Sequence, residues 1–201
     1  MTVKIGHASI DENGNATDAE TLELGVLTPI VNTTTPSDDV SYIDKVVKVQ
    51  NTGLNAAYIR THIAIPKALE GFLYLELDET GWIRQADSTA TIDGVVYAVY
   101  TYDYNSAVDA KEFTGELLKG VYLAADVDLA ADANGNLVFV KKSNGTVTLD
   151  SGFVAHTKTA DGYQSTVLNV PVASQAIQAQ GFDNATTALN SGFSGHPWAT
   201  P

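Results

Sequence analysis

Short β-prone runs, broken at intervals of roughly 8 to 15 residues by Asn, Asp, Gly and Pro, constrain this chain more than any other feature. The pattern is clearest from Lys45 to Pro66. In KVVKVQNTGLNAAYIRTHIAIP, Val47 and Val49 share one face of a first strand. Tyr58, Arg60 and His62 alternate with Ile59, Thr61 and Ile63 in a second. A period of two suits a pleated strand and no helix. The Asn-Thr-Gly-Leu-Asn segment between the two runs carries turn residues, so the stretch reads as a β-hairpin.

The same grammar extends in both directions. Thr2 to Ile10 alternates and runs into Asp-Glu-Asn-Gly-Asn, a turn signal. Leu24 to Val31 is apolar but holds Pro29, which confines it to a sheet edge or a strand end. Further strands are expected at 72–77, 82–85, 95–104, 117–127, 137–142, 146–149 and 165–179. Asn144-Gly145 between two of them marks a tight hairpin. Only 184–190 reads as helix, with Ala185, Ala188 and Leu189 on one face. Strands punctuated this way predict an all-β fold, an antiparallel sandwich or jelly roll.

Composition narrows the function. The 201 residues carry a net charge of −13, which disfavours nucleic acid, whose phosphates are met by Lys and Arg. It favours solubility, and any self-association has to overcome mutual repulsion. With no cysteine, disulfides, thiolate nucleophiles and Cys-bound zinc are excluded. No stretch reaches the ~20 consecutive apolar residues of a membrane span, so membrane insertion is not expected. No apolar leader core opens the sequence as it stands.

Catalytic patterns are missing. His7, His62, His156 and His196 are scattered without metal-ligand spacing, and no nucleophile elbow or phosphate loop is present. No enzymatic activity is expected. Calcium is the cofactor considered, because Asp126, Asp128, Asp132, Asn134 and Asn136 crowd oxygen donors around one turn. The alternative is a turn rich in Asx side chains. Asn15, Asn32, Asn144 and Asn184 begin N-x-S/T sequons in predicted loops. The Tyr97, Tyr100, Tyr102 and Tyr104 run offers either a sugar platform or cross-strand packing, and packing is the commoner use of such a ladder.

Three blocks together resemble a family. Asp44 to Pro66 is similar to the "K-x-V-x-V-x-N-T-G-x-x-x-A-Y-[IV]-R-T" segment of the TasA/camelysin-like secreted proteins. Gly115 to Asp128 (GELLKGVYLAADVD) resembles a later strand of clostridial members, and Val170 to Leu189 resembles their closing segment. The resemblance implies a secreted jelly-roll sandwich that acts as a subunit of extracellular filaments or biofilm-matrix fibres. Its localisation would be extracellular or at the cell surface, after signal removal. In such fibres an N-terminal strand of one subunit completes the sheet of the next. That assigns residues 1–15 to a donor strand and linker and 16–201 to a single sandwich domain. Val3, Ile5, His7 and Ile10 become subunit-interface residues, and the partner is the chain itself. The metallopeptidase label attached to camelysin is not carried over, since no zinc motif maps onto this sequence. Two alternatives stay open: a virion or cell-surface structural protein of the same fold, and a carbohydrate-binding module.

Overall fold

The structure, a computed structural model, describes residues 3–8, 28–31 and 33–198. Among them are thirteen strands and one α-helix, and every strand pairing is antiparallel. β1 (Val3–Ala8), β2 (Ile43–Asn51), β4 (Leu73–Leu77) and β8 (Leu118–Leu123) form a first sheet, in the order β1-β2-β8-β4. β3 (Ala57–Pro66), β5 (Trp82–Arg84), β6 (Ser88–Ile92), β7 (Val95–Tyr104) and β13 (Val172–Gln178) form a second, β13-β3-β7-β5. There β5 and β6 share β7 end to end, pairing with Tyr102–Tyr104 and Val95–Val99 respectively. The third sheet, β12-β11-β10-β9, uses β9 (Val127–Ala131), β10 (Leu137–Ser143), β11 (Thr146–Thr159) and β12 (Gly162–Ser165).

One core joins all three sheets. Val47 of β2, Ile63 of β3, Leu73 of β4, Tyr102 of β7, Val121 and Leu123 of β8, Phe139 of β10 and Ala155 of β11 belong to a single buried cluster. Each aliphatic side chain taken fully from water contributes about 1.5–3 kcal/mol, so this cluster carries most of the drive to pack sheet against sheet. The chain is thus an all-β sandwich with antiparallel sheets.

The expected hairpin at Lys45–Pro66 is corrected here. β2 and β3 do not pair: β2 lies between β1 and β8, and β3 lies between β13 and β7. Thr52–Ala56 is therefore an arch from one sheet to the other. Asn51 fastens its corner, donating from Nδ2 to the carbonyls of Asn55 and Val108, both at 2.8 Å. Its Oδ1 accepts from Gly53 N at 3.0 Å. Burial explains why the two strands part. Along β2 the inward positions are Lys45, Val47, Val49 and Asn51, and the residues between them are half-exposed, as in a one-sided strand. Every residue of β3 is buried, which requires cover on both faces and a central place in its sheet.

The second cover comes from the C-terminal region. Asn184 caps α1 (Ala185–Gly192), its side chain accepting from Thr187 N at 2.9 Å. Ala185, Ala188 and Leu189 then pack on Tyr58 of β3. Trp198 packs nearby, against Ala64, Ala90, Tyr97 and Val99. Other expectations shift in detail. β11 runs ten residues beyond 149, and β6 and β12 appear where turns or loops were expected. Residues 24–27 fall outside the described residues, and Pro29 makes an isolated parallel bridge to Leu123.

Candidate functional site

β1 is an edge strand joined to the fold through β2 alone among the strand pairings. Its register sets Val3, Ile5 and His7 opposite Asn51, Val49 and Val47, the buried positions of β2. Ile10, the fourth expected interface residue, lies outside the described residues. β1 also runs beside β13, at the same border of the sandwich, so it closes the gap between the first and second sheets.

Lys45, the first buried residue of β2, sits one residue beyond the β1 ladder and is fully buried. Its Nζ donates to Val170 O at 3.2 Å, the contact that places it near the start of β13. Burial pulls its pKa down to about 8, because a low-dielectric setting disfavours the ammonium.

A polar layer lies on the outer face of the second sheet. Arg60 donates to both carboxylate oxygens of Asp103, from Nε at 2.6 Å and from Nη2 at 2.9 Å. It also donates from Nη2 to Asn190 Oδ1 of α1 at 2.7 Å. One turn of pleat away, His62 Nδ1 meets Thr101 Oγ1 at 2.9 Å and Nε2 meets Gln175 Oε1 at 3.0 Å. The rings of His196 and Trp198 stand edge-on to it at about 6.3 Å. Burial drives the His62 pKa down to about 4, against a smaller opposing effect of its bond to Gln175. The imidazole is neutral at physiological pH. The layer has the character of a fastening for α1 and the tail: Arg60, Asp103 and both ring nitrogens of His62 are matched by neighbours, and the ion pair is sealed from water.

The calcium candidates divide into two groups. Asp126 and Asp128 are held by lysines, with Lys141 Nζ at 3.0 Å and Lys142 Nζ at 2.7 Å. The Lys142 ammonium beside Asp128 keeps its carboxyl below the usual carboxylate range. Asp132 turns inward on its own loop, accepting from Asn134 N, Asn136 N and Asn136 Nδ2 at 2.8–3.0 Å. Asn136 Oδ1 accepts from Lys158 N. Asp126 precedes β9, Asp128 lies within it and only Asp132, Asn134 and Asn136 sit in the turn between β9 and β10, and their oxygens are directed to different partners. Among the described residues no group of three or more His, Asp or Glu converges on a point.

The tyrosines of β7 are packing residues. Tyr102 is wholly buried with its hydroxyl on Glu79 Oε1 at 3.0 Å, and Tyr100 and Tyr104 pack against the main core. Sequence reasoning missed a different aromatic group. Tyr42, Tyr74 and Tyr122 meet on the outer face of the first sheet, with ring centroids 6.2 and 5.7 Å apart. They are separated by 32 and 48 positions in the chain, and only the strand order β2-β8-β4 brings them together. Comparisons with family models, with curated proteins and with solved structures gave no match to this chain.

Proposed function

We propose that the protein is a structural, non-enzymatic subunit of an extracellular filament or biofilm-matrix fibre of the TasA-like kind. Copies join head to tail, with the N-terminal strand of one completing the jelly-roll sheet of the next. The observation that carries this is β1: a six-residue edge strand whose ladder runs to β2 alone. Such a strand can exchange between copies without changing any other pairing, because the same backbone bonds form in trans as in cis. Residues 9–27 separate β1 from Thr28, and nineteen residues of chain span up to about 60 Å when extended. A head-to-tail contact of this type propagates when its rotation does not close. The net charge of −13 opposes assembly, so assembly should accelerate with ionic strength as the repulsion is screened.

Deletion of residues 1–12 tests the proposal. The truncated chain is expected to remain monomeric under conditions where the full chain forms filaments, as seen by electron microscopy and sedimentation. A synthetic peptide of residues 1–12 should bind the truncated chain and raise its melting temperature. Filaments of normal length and number from the truncated chain would overturn it.

A further inference from the structure

Tyr42, Tyr74 and Tyr122 are built into the first sheet rather than scattered on it. Tyr74 and Tyr122 are direct cross-strand partners on β4 and β8, and their rings are parallel within 13°. Tyr42 lies on the other side of Tyr122, 28° from parallel. Its ring rests directly on Gly120, where a Cβ would collide with it. Glycine is the residue that admits the ring at this point. Burial first, and the neighbouring Glu76 carboxylate second, hold the Tyr42 pKa far above the ordinary phenol range. The second oxygen of Glu76, Oε2, is screened from solvent and has no hydrogen-bond partner.

At the Tyr74–Tyr122 end the row opens into a cavity of about 180 Å³, closed by Ile30, Thr33, Pro36, Ala124 and Ala125. The far wall is fixed in place. Ile30 N donates to Leu123 O at 3.2 Å, and Val31 N donates to Asp39 Oδ2 at 2.6 Å. Asp39 Oδ1 accepts from Ser41 N, and Thr28 and Ser41 share a hydroxyl contact at 2.6 Å. The groove is preformed. Tyr74, at its lip, is 43% exposed.

We infer that this groove is a binding site for a neutral pyranose chain. The chemistry of the lining selects the ligand. Aromatic faces and aliphatic walls suit the C–H faces of a sugar ring. The polar groups along the row are phenol and Thr33 hydroxyls, which both donate and accept, and the Glu76 carboxylate, which only accepts, so the groove suits a ligand with groups that do both. A chain of hydroxyls provides them, and one that reaches Oε2 on a small swing of the Tyr42 ring satisfies an acceptor now without a partner. An anionic ligand is opposed by the charge of the protein. An ammonium group seated among Ile30, Pro36, Ala124 and Ala125 would lose its hydration without a counter-charge in the cavity. The groove lies at the β4 side of the first sheet, opposite the β1 edge, so the inference does not rest on the filament proposal.

Titration of the full chain with cellohexaose, chitohexaose and maltohexaose, and with hexalysine as the cationic comparison, tests it by calorimetry and by tyrosine ring NMR shifts. At least one of the three saccharides is expected to bind with a Kd of about 1 mM or tighter, in a salt-independent manner. Tyr74→Ala should weaken that binding tenfold or more, while Tyr74→Phe retains it and Tyr163→Ala on β12 leaves it unchanged. If thermal melting shows that Tyr74→Ala does not fold, Tyr74→Leu, which keeps the bulk without the ring, is read in its place. Binding of none of the saccharides, binding indifferent to loss of the Tyr74 ring, or binding of hexalysine alone would each overturn the inference.

Discussion

The Arg60–Asp103 pair is where a single substitution should speak most clearly. Both side chains are nearly sealed from water, at 7% and 0% exposure, and the guanidinium makes two bonds to the carboxylate and one to Asn190. Asp103→Ala leaves a buried cation with one neutral acceptor. Removing one partner of such a pair costs about 3–5 kcal/mol, since the remaining charge keeps its desolvation penalty and loses its compensation. For a chain of this size about 2–4 °C of melting temperature accompanies each kcal/mol, so the midpoint should fall by roughly 6–20 °C. Replacing both partners with apolar residues of similar volume, Arg60→Met with Asp103→Leu, should recover most of the loss, because no charge is then stranded. Urea unfolding of Asp103→Ala and of the four proteins of the cycle (parent, Arg60→Met, Asp103→Leu and the double variant), followed by circular dichroism, measures it. A cost below about 1 kcal/mol for Asp103→Ala, or a double variant whose cost is the sum of the two singles, would refute the coupling described here.

Two pH predictions accompany it. His62 is neutral in the fold with a pKa near 4 and titrates near 6.5 when unfolded. Between those values the unfolded chain binds the extra proton, so stability is full above pH 6.5 and falls by up to about 3 kcal/mol as pH drops to 4. Thr101, Gln175, Arg60, Asp103 and His196 face the ring. The difference in unfolding free energy between the parent and His62→Gln should carry this slope, and parallel curves would refute it. Lys45, with its pKa lowered to about 8 against ~10.4 unfolded, acts at the other end. Stability should rise by up to about 3 kcal/mol from pH 8 to 10.4, and Lys45→Met should abolish that rise while stabilising the fold at pH 7. An unchanged slope in Lys45→Met would count against the buried amine.

The sequence carried the strands better than their partners. Period-two alternation located β2, β3, β4, β7 and β10, and Asn184 followed by Ala185, Ala188 and Leu189 located α1. It could not show that β2 and β3 part company. Val47–Val49 and Ile59–Ile63 alternate alike on the page, and the distinction lies in what covers the far face of β3. That cover is α1, some 120 residues later in the chain. Arg60 and His62 look like solvent-facing residues for the same reason. β6 is Ser-Thr-Ala-Thr-Ile, whose short polar side chains also suit a loop. Much of β11 is exposed on both faces, so no apolar stripe outlines it. The Asp126–Asn136 cluster was legible as a group of oxygens but not as a set of ion pairs, because Lys141 and Lys142 come from the neighbouring strand. The tyrosine row left no local trace. Its residues become neighbours only through the strand order of a sheet.

The central position of β3 also dictates when the molecule can form. Its ladder to β7 is available once residue 104 has been made, but its other neighbour is β13 and its outer cover is α1. A ribosome has therefore delivered nearly the whole chain before this strand can be enclosed. Contacts so distant in sequence slow folding, since the loop-closure entropy is met before the contacts form. Until the C-terminal segment emerges, the nascent chain is an open one with Ile59, Ile63 and Ile65 not yet fully housed. Early compaction is therefore not available to it, and C-terminal truncation should leave the protein unable to fold rather than merely shortened, as circular dichroism of a chain ending before residue 165 would show.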